Sequence, residues 1–315
     1  VKKGDYVSIF GHTPCTNYDC YACTVLHRYT ECEYENGEIL GHGKEANDGT
    51  FAEYTILPPQ SYEICFRKTD TPSKKKLMPM MLSFLVADVR NALTRLPDVL
   101  KSQRMMLFGA GFSGKIAAYI YSKSSPGSKI FAIDYSKSRL RQLKKIIPCN
   151  VETLIIPKRL VDELEKISQN VGFRNILTKY IEEISEKSSK FFDNKNVNLL
   201  MDCTSGNAAP LWTDGKLLKE TTTVIPFGFG SDHIVLNKDI IQKSGLTVLM
   251  SRGVGNIRNR RETIELIKSD ESMSFFTELL KESIEKKGIT NAIKFIQDVL
   301  NRGKELPSEH IFMSL

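Results

Sequence analysis

RMMLFGAGFSGKIAAYIYSK, residues 104–123, decides the fold. Met105 to Phe108 form a short apolar run suited to a strand buried on both faces, and Ile116, Ala117 and Ile120 resume the apolar pattern at helical spacing. Between them, Gly109-Ala110-Gly111-Phe112-Ser113-Gly114 spells G-x-G-x-x-G. The pattern is weak alone, but between a strand and a helix each glycine has a purpose: the first permits a tight turn, the second lets the backbone approach a pyrophosphate, and the third lets helix and strand pack closely. A diphosphate would then rest on the unpaired N–H groups at the positive end of the helix. The same residues also spell G-x-x-x-x-G-K, Gly109 to Lys115, most of a triphosphate-binding loop. That loop requires Ser or Thr next, to hold magnesium, and Ile116 stands there.

Moving outward, KIFAIDYSKSRLRQLKKI, residues 129–146, reads as a second buried strand ending at Asp134, followed by a second helix. Asp134 lies twenty residues after Gly114, where a carboxylate can accept both hydroxyls of an adenosine ribose. The alternative is a helix cap for the residues that follow. A carboxylate here repels a 2′-phosphate and so favours NAD over NADP, a preference that Lys137 and Arg139 temper. NVNLLMDCTSG (196–206), TTTVIPFGF (221–229) and GLTVLMSRG (245–253) supply three more apolar strands, with a helical stretch around Leu211 to Leu218 between the first two. Strands alternating with helices imply an α/β fold with a doubly wound parallel sheet. The charged stretch 161–192 reads as one or two surface helices, and 291–300 as another before a short final strand in HIFMSL.

On the other side of the glycine loop, a helix is expected from about Met78 to Leu96, and DGTFAEYTILPP (48–59) reads as a turn and an alternating strand. Further upstream, PCTNYDCYACTVLHRYTEC (14–32) holds four of the seven cysteines as C-x4-C-x2-C-x8-C: Cys15, Cys20, Cys23 and Cys32. A disulfide framework suits small secreted domains, whereas this chain is long and has an odd cysteine total. Four thiolates close a tetrahedral zinc shell against water, so a site of this composition is structural. Thiols without metal and a redox role are the alternatives. His42, in a glycine turn, reads as polar surface with metal contact as the alternative, and His12 and His27 flank the cysteines but are surplus to a shell filled by four thiolates. Cys65, Cys149 and Cys203 are isolated thiols, with Cys203 as small filler near an adenine pocket.

The composition, 41% hydrophobic, 9% aromatic and 26% charged, is that of a globular chain, and 315 residues suffice for two domains. The net charge of +7 is spread over separated segments without aromatic interleaving, which argues against nucleic acid and for a solvated surface or a phosphate-bearing ligand. The longest apolar stretch, residues 77–89, is broken by Pro79 and Asp88, so no membrane span is expected. No secretory signal is evident at the start, and the cytoplasm is the expected location. The chain opens without Met on KKGDYV, a turn feeding a strand, as the interior of a longer protein would.

Taken together, KGDYV, the four cysteines, DGTFAEYTILP, LFGAGFSGKIAA, FAIDYSKSRL, NLLMDCTSG, TTTVIPFGF and GLTVLMSRG resemble, in order, the landmarks of the zinc-containing medium-chain dehydrogenases, the alcohol, sorbitol and threonine dehydrogenase group. The resemblance covers nearly the whole chain. It implies a Rossmann domain and a β-rich GroES-like catalytic domain with a four-cysteine zinc lobe. The expected divisions are 1–84 (GroES-like part, incomplete at its N-terminus), 85–264 (NAD-binding domain) and 265–315 (return to the catalytic domain). It implies a structural zinc on Cys15, Cys20, Cys23 and Cys32, and NAD held by Gly109, Gly111, Phe112, Ser113, Gly114, Asp134 and Arg139. By the same resemblance a basic residue among Arg252, Arg258, Arg260 and Arg261 can reach the cofactor diphosphate, with a solvated helix start as the alternative. The implied activity is hydride transfer between an alcohol or polyol and nicotinamide, in a homodimer or homotetramer joined through the LTVLMSRG edge. An inactive nucleotide-binding homologue, serving as redox sensor or partner protein, is the alternative. The family's catalytic zinc takes two ligands that would precede Val1 and a third near Ser83 or Phe84. Neither is a usual zinc ligand, and Asp88 lies about a helical turn further on. No catalytic residue is assigned.

Overall fold

The computed structural model describes residues 1–11, 19–26, 32, 55, 57, 61–95, 103–160, 171–204, 208–213, 217, 222–227, 246–249, 253–281, 284–287 and 311–314. The chain divides into two units, Asp88–Arg252 and Val1–Ala87 with Gly253–Leu315. The divisions thus fall at 87/88 and 252/253, and those expected from the sequence stand at 84/85 and 264/265.

In the unit Asp88–Arg252, six strands form one parallel sheet: β3 (Arg104–Phe108), β4 (Lys129–Asp134), β5 (Asn150–Ile155), β6 (Leu199–Asp202), β7 (Thr223–Pro226) and β8 (Thr247–Val248). Their order is β5-β4-β3-β6-β7-β8. Position in the sheet follows composition. β3, β4, β6 and β7 are almost unbroken apolar runs and are buried nearly throughout, as strands covered on both faces must be. β5 buries only Val151 and Leu154 and takes one edge, and the short β8 takes the other. β5 has no continuous apolar run, and for that reason the sequence reading did not pick it out.

Helix α4 (Phe112–Ser124) follows β3, and α5 (Lys137–Ile146) follows β4. α4 is buried along Ile116, Ala117, Ala118 and Ile120, the small alanines allowing close packing. The charged stretch after β5 contains one long helix, Val171–Phe191. It ends against β4: Phe191 and Phe192 pack on Phe131 with ring centroids 6.1 and 6.4 Å away, and Lys129 Nζ donates to the Phe191 carbonyl at 3.1 Å. A short helix, Ala209–Trp212, lies between β6 and β7 and buries Leu211 and Trp212 completely.

In the other unit, β1 (Tyr6–Ile9) and β2 (Tyr62–Phe66) pair antiparallel. The turn before β1 is tied by Asp5, whose carboxylate accepts from Lys2 N, Lys68 N and Arg67 Nη1 at 2.9, 3.1 and 2.9 Å. These backbone donors, with the Arg67 charge, hold its carboxyl down at about 2. Residues 78–82 form a 3-10 turn running into α3 (Ser83–Thr94), so the expected helix over 78–96 begins more tightly wound than predicted. Helices Ile257–Lys268 and Asp270–Leu280 follow. A parallel pair, Ile284–Lys287 with Ile311–Ser314, includes the expected final strand. The expected strand at 48–59 and helix at 291–300 lie outside the described residues, apart from Thr55 and Leu57. No helix among the described residues is long and apolar enough to cross a membrane.

Asn256 caps the helix Ile257–Lys268 by accepting from Asn259 N at 2.9 Å. The Asn259 side chain then donates both amide hydrogens, to Ala87 O at 2.8 Å and Val254 O at 2.7 Å, from a position only 7% exposed. Asn259→Ala leaves the Val254 carbonyl buried without this donor and is expected to lower unfolding free energy by about 1–3 kcal/mol. Urea unfolding checks this, with the midpoint moving to lower concentration.

Candidate dinucleotide and metal sites

The sheet order reverses between β3 and β6: the chain leaves β3 toward β4 and β5 on one side, then returns to β6 and β7 on the other. At such a switch point the connections diverge and leave a crevice beyond the carboxyl ends of the two strands. Gly109 stands there, directly after β3, with φ +88, and Cys203 stands directly after β6.

The three glycines meet three different constraints. A Cβ on Gly109 would lie 2.9 Å from the Cys203 carbonyl oxygen, in a left-handed conformation that L side chains rarely adopt. On Gly114 it would lie 1.9 Å from the Gly109 carbonyl oxygen. On Gly111 it would meet nothing within 4 Å among the described residues, so this glycine faces open space. Gly111 also supplies no side-chain cap to α4, whose first intrahelical bond is Lys115 N to Gly111 O at 2.9 Å. Phe112 is buried and Ser113 half-buried in this first turn. The start of α4 thus has no side-chain cap from Gly111 and open room beside that glycine, an arrangement suited to a diphosphate. Lys115 does not extend the site toward a triphosphate loop: it is buried, and its Nζ donates to Gln142 Oε1 on α5.

Asp134, 5% exposed, ends β4 beside the loop. Its Oδ2 accepts from Ala110 N and its Oδ1 from Ser136 N, each at 2.7 Å. Ser136, not Asp134, caps α5, accepting from Arg139 N at 3.4 Å. A carboxylate offers about four acceptor positions, so two remain for sugar hydroxyls. Lys137 is exposed, while Arg139 lies with its guanidinium carbon 5.5 Å from the centre of the Tyr135 ring and Nη1 3.5 Å from its hydroxyl. The sequence reading missed the bond from Asp134 to Ala110. The residue spacing gave its only signal, a carboxylate one strand over from the glycine turn.

The cysteine segment contains one helical turn, α1 (Tyr21–Thr24), preceded by Cys20. The turn brings Cys20 and Cys23 together, and Cys32 completes a group whose Sγ atoms all lie within 4.8 Å of one another. Cys20 and Cys32 sulfurs are 3.9 Å apart, far beyond a disulfide bond. Three convergent thiols fit a soft tetrahedral ion such as zinc and leave one position for a fourth ligand. Cys15, His12, His27 and His42 lie outside the described residues.

The position implied for a catalytic zinc ligand has different chemistry. Ser83 is 2% exposed and its hydroxyl is bonded to that of Ser8, which also donates to Met80 O at 3.3 Å. The neighbouring Cys65 thiol is pushed up to about 11, mainly by burial. Phe84 offers no donor atom. Ser83 and Phe84 therefore do not fit a zinc site. Arg258 and Arg261 pair with Glu262 at 2.7 Å and Glu63 at 3.4 Å, and Arg260 is wholly buried with its guanidinium carbon 5.4 Å from the Phe10 ring centre. Arg252 lies outside the described residues.

Asp88 is 7% exposed, its Oδ1 has no hydrogen-bond partner among the described residues, and burial pushes its carboxyl up to about 6. Because the folded form holds the proton more tightly than the unfolded form, folding is favoured at low pH, and the penalty grows as pH rises from about 4 to about 6. Asp88→Asn should remove a penalty on the order of 3 kcal/mol above pH 7 and change little at pH 4. Melting curves at the two pH values check this.

No family model matches the chain. A stretch of 169 residues, 54% of the chain, is 27% identical to 5-exo-hydroxycamphor dehydrogenase of Pseudomonas putida and takes in 44% of that protein's length. The fold is similar to an alcohol dehydrogenase of the archaeon Aeropyrum pernix, with TM-score 0.66 and 20% identity over 96% of this chain and 74% of that one. It is also similar to acetophenone reductase of Geotrichum candidum, solved in complex with NAD, with TM-score 0.65 and 18% identity over 100% of this chain and 74% of that one. The chain has the fold of the zinc-containing medium-chain alcohol dehydrogenases, a Rossmann sheet accompanied by GroES-like elements.

Proposed function

We propose that this protein is an NAD-dependent oxidoreductase that passes a hydride between an alcohol or polyol and nicotinamide. The observation that carries the reading is the glycine loop at the switch point, with Gly111 facing open space and Asp134 one strand away. In this reading Gly109, Gly111, Phe112, Ser113 and Gly114 seat the diphosphate on the first turn of α4. Asp134 takes the adenosine hydroxyls, and Arg139 borders the same ribose. When bound, the nicotinamide supplies the hydride acceptor or donor. The chain's own residues orient the dinucleotide, and Asp134 disfavours a 2′-phosphate. The domain plan is 1–84 and 265–315 for the catalytic part and 85–264 for the nucleotide part, with copies of the chain joined through the edge strand β8.

Cys15, Cys20, Cys23 and Cys32 hold a zinc that pins the lobe and takes no part in chemistry, since four thiolates leave no position for substrate. Metal analysis should find that zinc in the wild type and lose it in Cys23→Ser. Retention of full zinc by Cys23→Ser would remove the assignment.

One observation favours a second reading, a nucleotide-binding relative without catalysis: the hydroxyl of Ser83 is spent on Ser8. Both readings predict that NADH binds, and turnover with primary or secondary alcohols selects the first. Asp134→Ala should weaken NADH roughly ten- to hundredfold, the loss of hydrogen bonds to a charged group, and narrow the preference for NADH over NADPH. Calorimetric titration measures both. Absence of binding heat in the wild-type protein would sink the reading.

A further inference from the structure

We infer that Asp202, Thr204 and Trp212 form a buried positioning unit that fixes the wall of the crevice facing the glycine loop, and that Thr204 acts through its hydroxyl. The inference rests on the dinucleotide reading of that loop.

Asp202 is the last residue of β6, in register with Phe108, the last residue of β3. It is fully buried, yet both carboxylate oxygens are engaged. Oδ1 accepts from Thr204 N at 2.9 Å and Thr204 Oγ1 at 2.6 Å, and Oδ2 from Trp212 Nε1 at 2.8 Å. The Asp202 carbonyl accepts from Phe227 N at 2.7 Å, just past β7. Burial pushes the carboxyl up, and the Thr204 and Trp212 donors oppose that shift. Every partner donates, so the group serves as an acceptor on both oxygens. The Thr204 hydroxyl also accepts from Ala208 N at 2.8 Å, which ties the start of the following helix to the same carboxylate.

These bonds decide what faces Gly109. Cys203 N continues the ladder to Phe108 O at 2.7 Å, which brings the Cys203 carbonyl to 2.9 Å from the place a Gly109 Cβ would take. Thr204 turns there with its hydroxyl engaged on both sides, leaving its methyl 3.1 Å from that same place. The glycine turn is therefore shaped against a wall whose position is set by a carboxylate it never touches. Trp212, the chain's single tryptophan, closes the far side of that carboxylate.

Thr204→Val keeps the methyl and the shape but loses the hydroxyl, whereas Thr204→Ser keeps the hydroxyl and loses the methyl. On the full chain, NADH titration should show Thr204→Val weakened about tenfold and Thr204→Ser within about twofold of wild type, with Trp212→Phe weakened in the direction of Val. In unliganded protein, amide exchange over residues 109–114 should speed up in Val and not in Ser. A purely structural role would lower the melting temperature of Val without moving the NADH affinity of folded protein or this exchange, and that result overturns the inference. The reverse order, Ser impaired and Val intact, overturns it too. If the wild type takes up no NADH, the dinucleotide reading fails separately. Exchange over 109–114 then decides the matter: faster in Val alone supports the positioning role, and no difference overturns it.

Discussion

The structure of the nucleotide-type unit depends on one close approach, that of the Gly114 α-carbon to the carbonyl oxygen of Gly109. Any side chain at 114 would place a carbon 1.9 Å from that oxygen, closer than atoms can come, and would force α4 away from β3. With hydrogen there, α4 can begin within five residues of the end of β3. Gly109 is held in place from two further sides, by its own N–H to Ile133 O at 2.9 Å and by the backbone after β6. Asp134 then fastens the next amide, Ala110 N. The loop is thus secured by both neighbouring strands.

Among the described residues, some buried polar groups are satisfied locally and others, Asp88 Oδ1 and Ser128 Oγ among them, are not. Asp134 and Asp202 accept from backbone and side-chain donors, and Lys115 donates to Gln142, so each recovers part of the cost of leaving water. Asp88 recovers little, and burial alone governs its protonation. A buried carboxyl with an unpartnered oxygen lowers stability wherever it is ionised, so α3 carries this cost at neutral pH. The Ser8 and Ser83 pair on the same helix and strand is the opposite case, two hydroxyls satisfying each other inside apolar surroundings.

Legibility followed the kind of constraint. The glycine loop could be read because its requirement is steric and local: a Cβ at Gly109 or Gly114 would run into backbone, each for a different reason. Central strands could be read because burial on both faces needs unbroken apolar residues. The edge strand β5 and the strand Tyr62–Phe66 could not, because half-exposed strands mix Glu152 or Glu63 with Val151 or Ile64 and resemble loops. Partnerships set by register stayed hidden: nothing in the order of residues says that Trp212 reaches Asp202, or that Ser8 meets Ser83 across a gap of 75 positions. The cysteine turn was legible in part, since a spacing of three places Cys20 and Cys23 on one side of a helical turn.

The Asn259 side chain grips both Ala87 and Val254, the residues flanking the point where one unit is interrupted by the other. The interrupted unit gains this clasp only when residues 172 positions apart have met, so during synthesis it must wait for its second half to leave the ribosome. The intervening sheet, continuous in sequence, can fold first and shorten the effective tether between the two halves. In evolutionary terms the arrangement is that of a guest module whose entry and exit share a doorway, which leaves the host free to accept a different guest without rerouting its own chain.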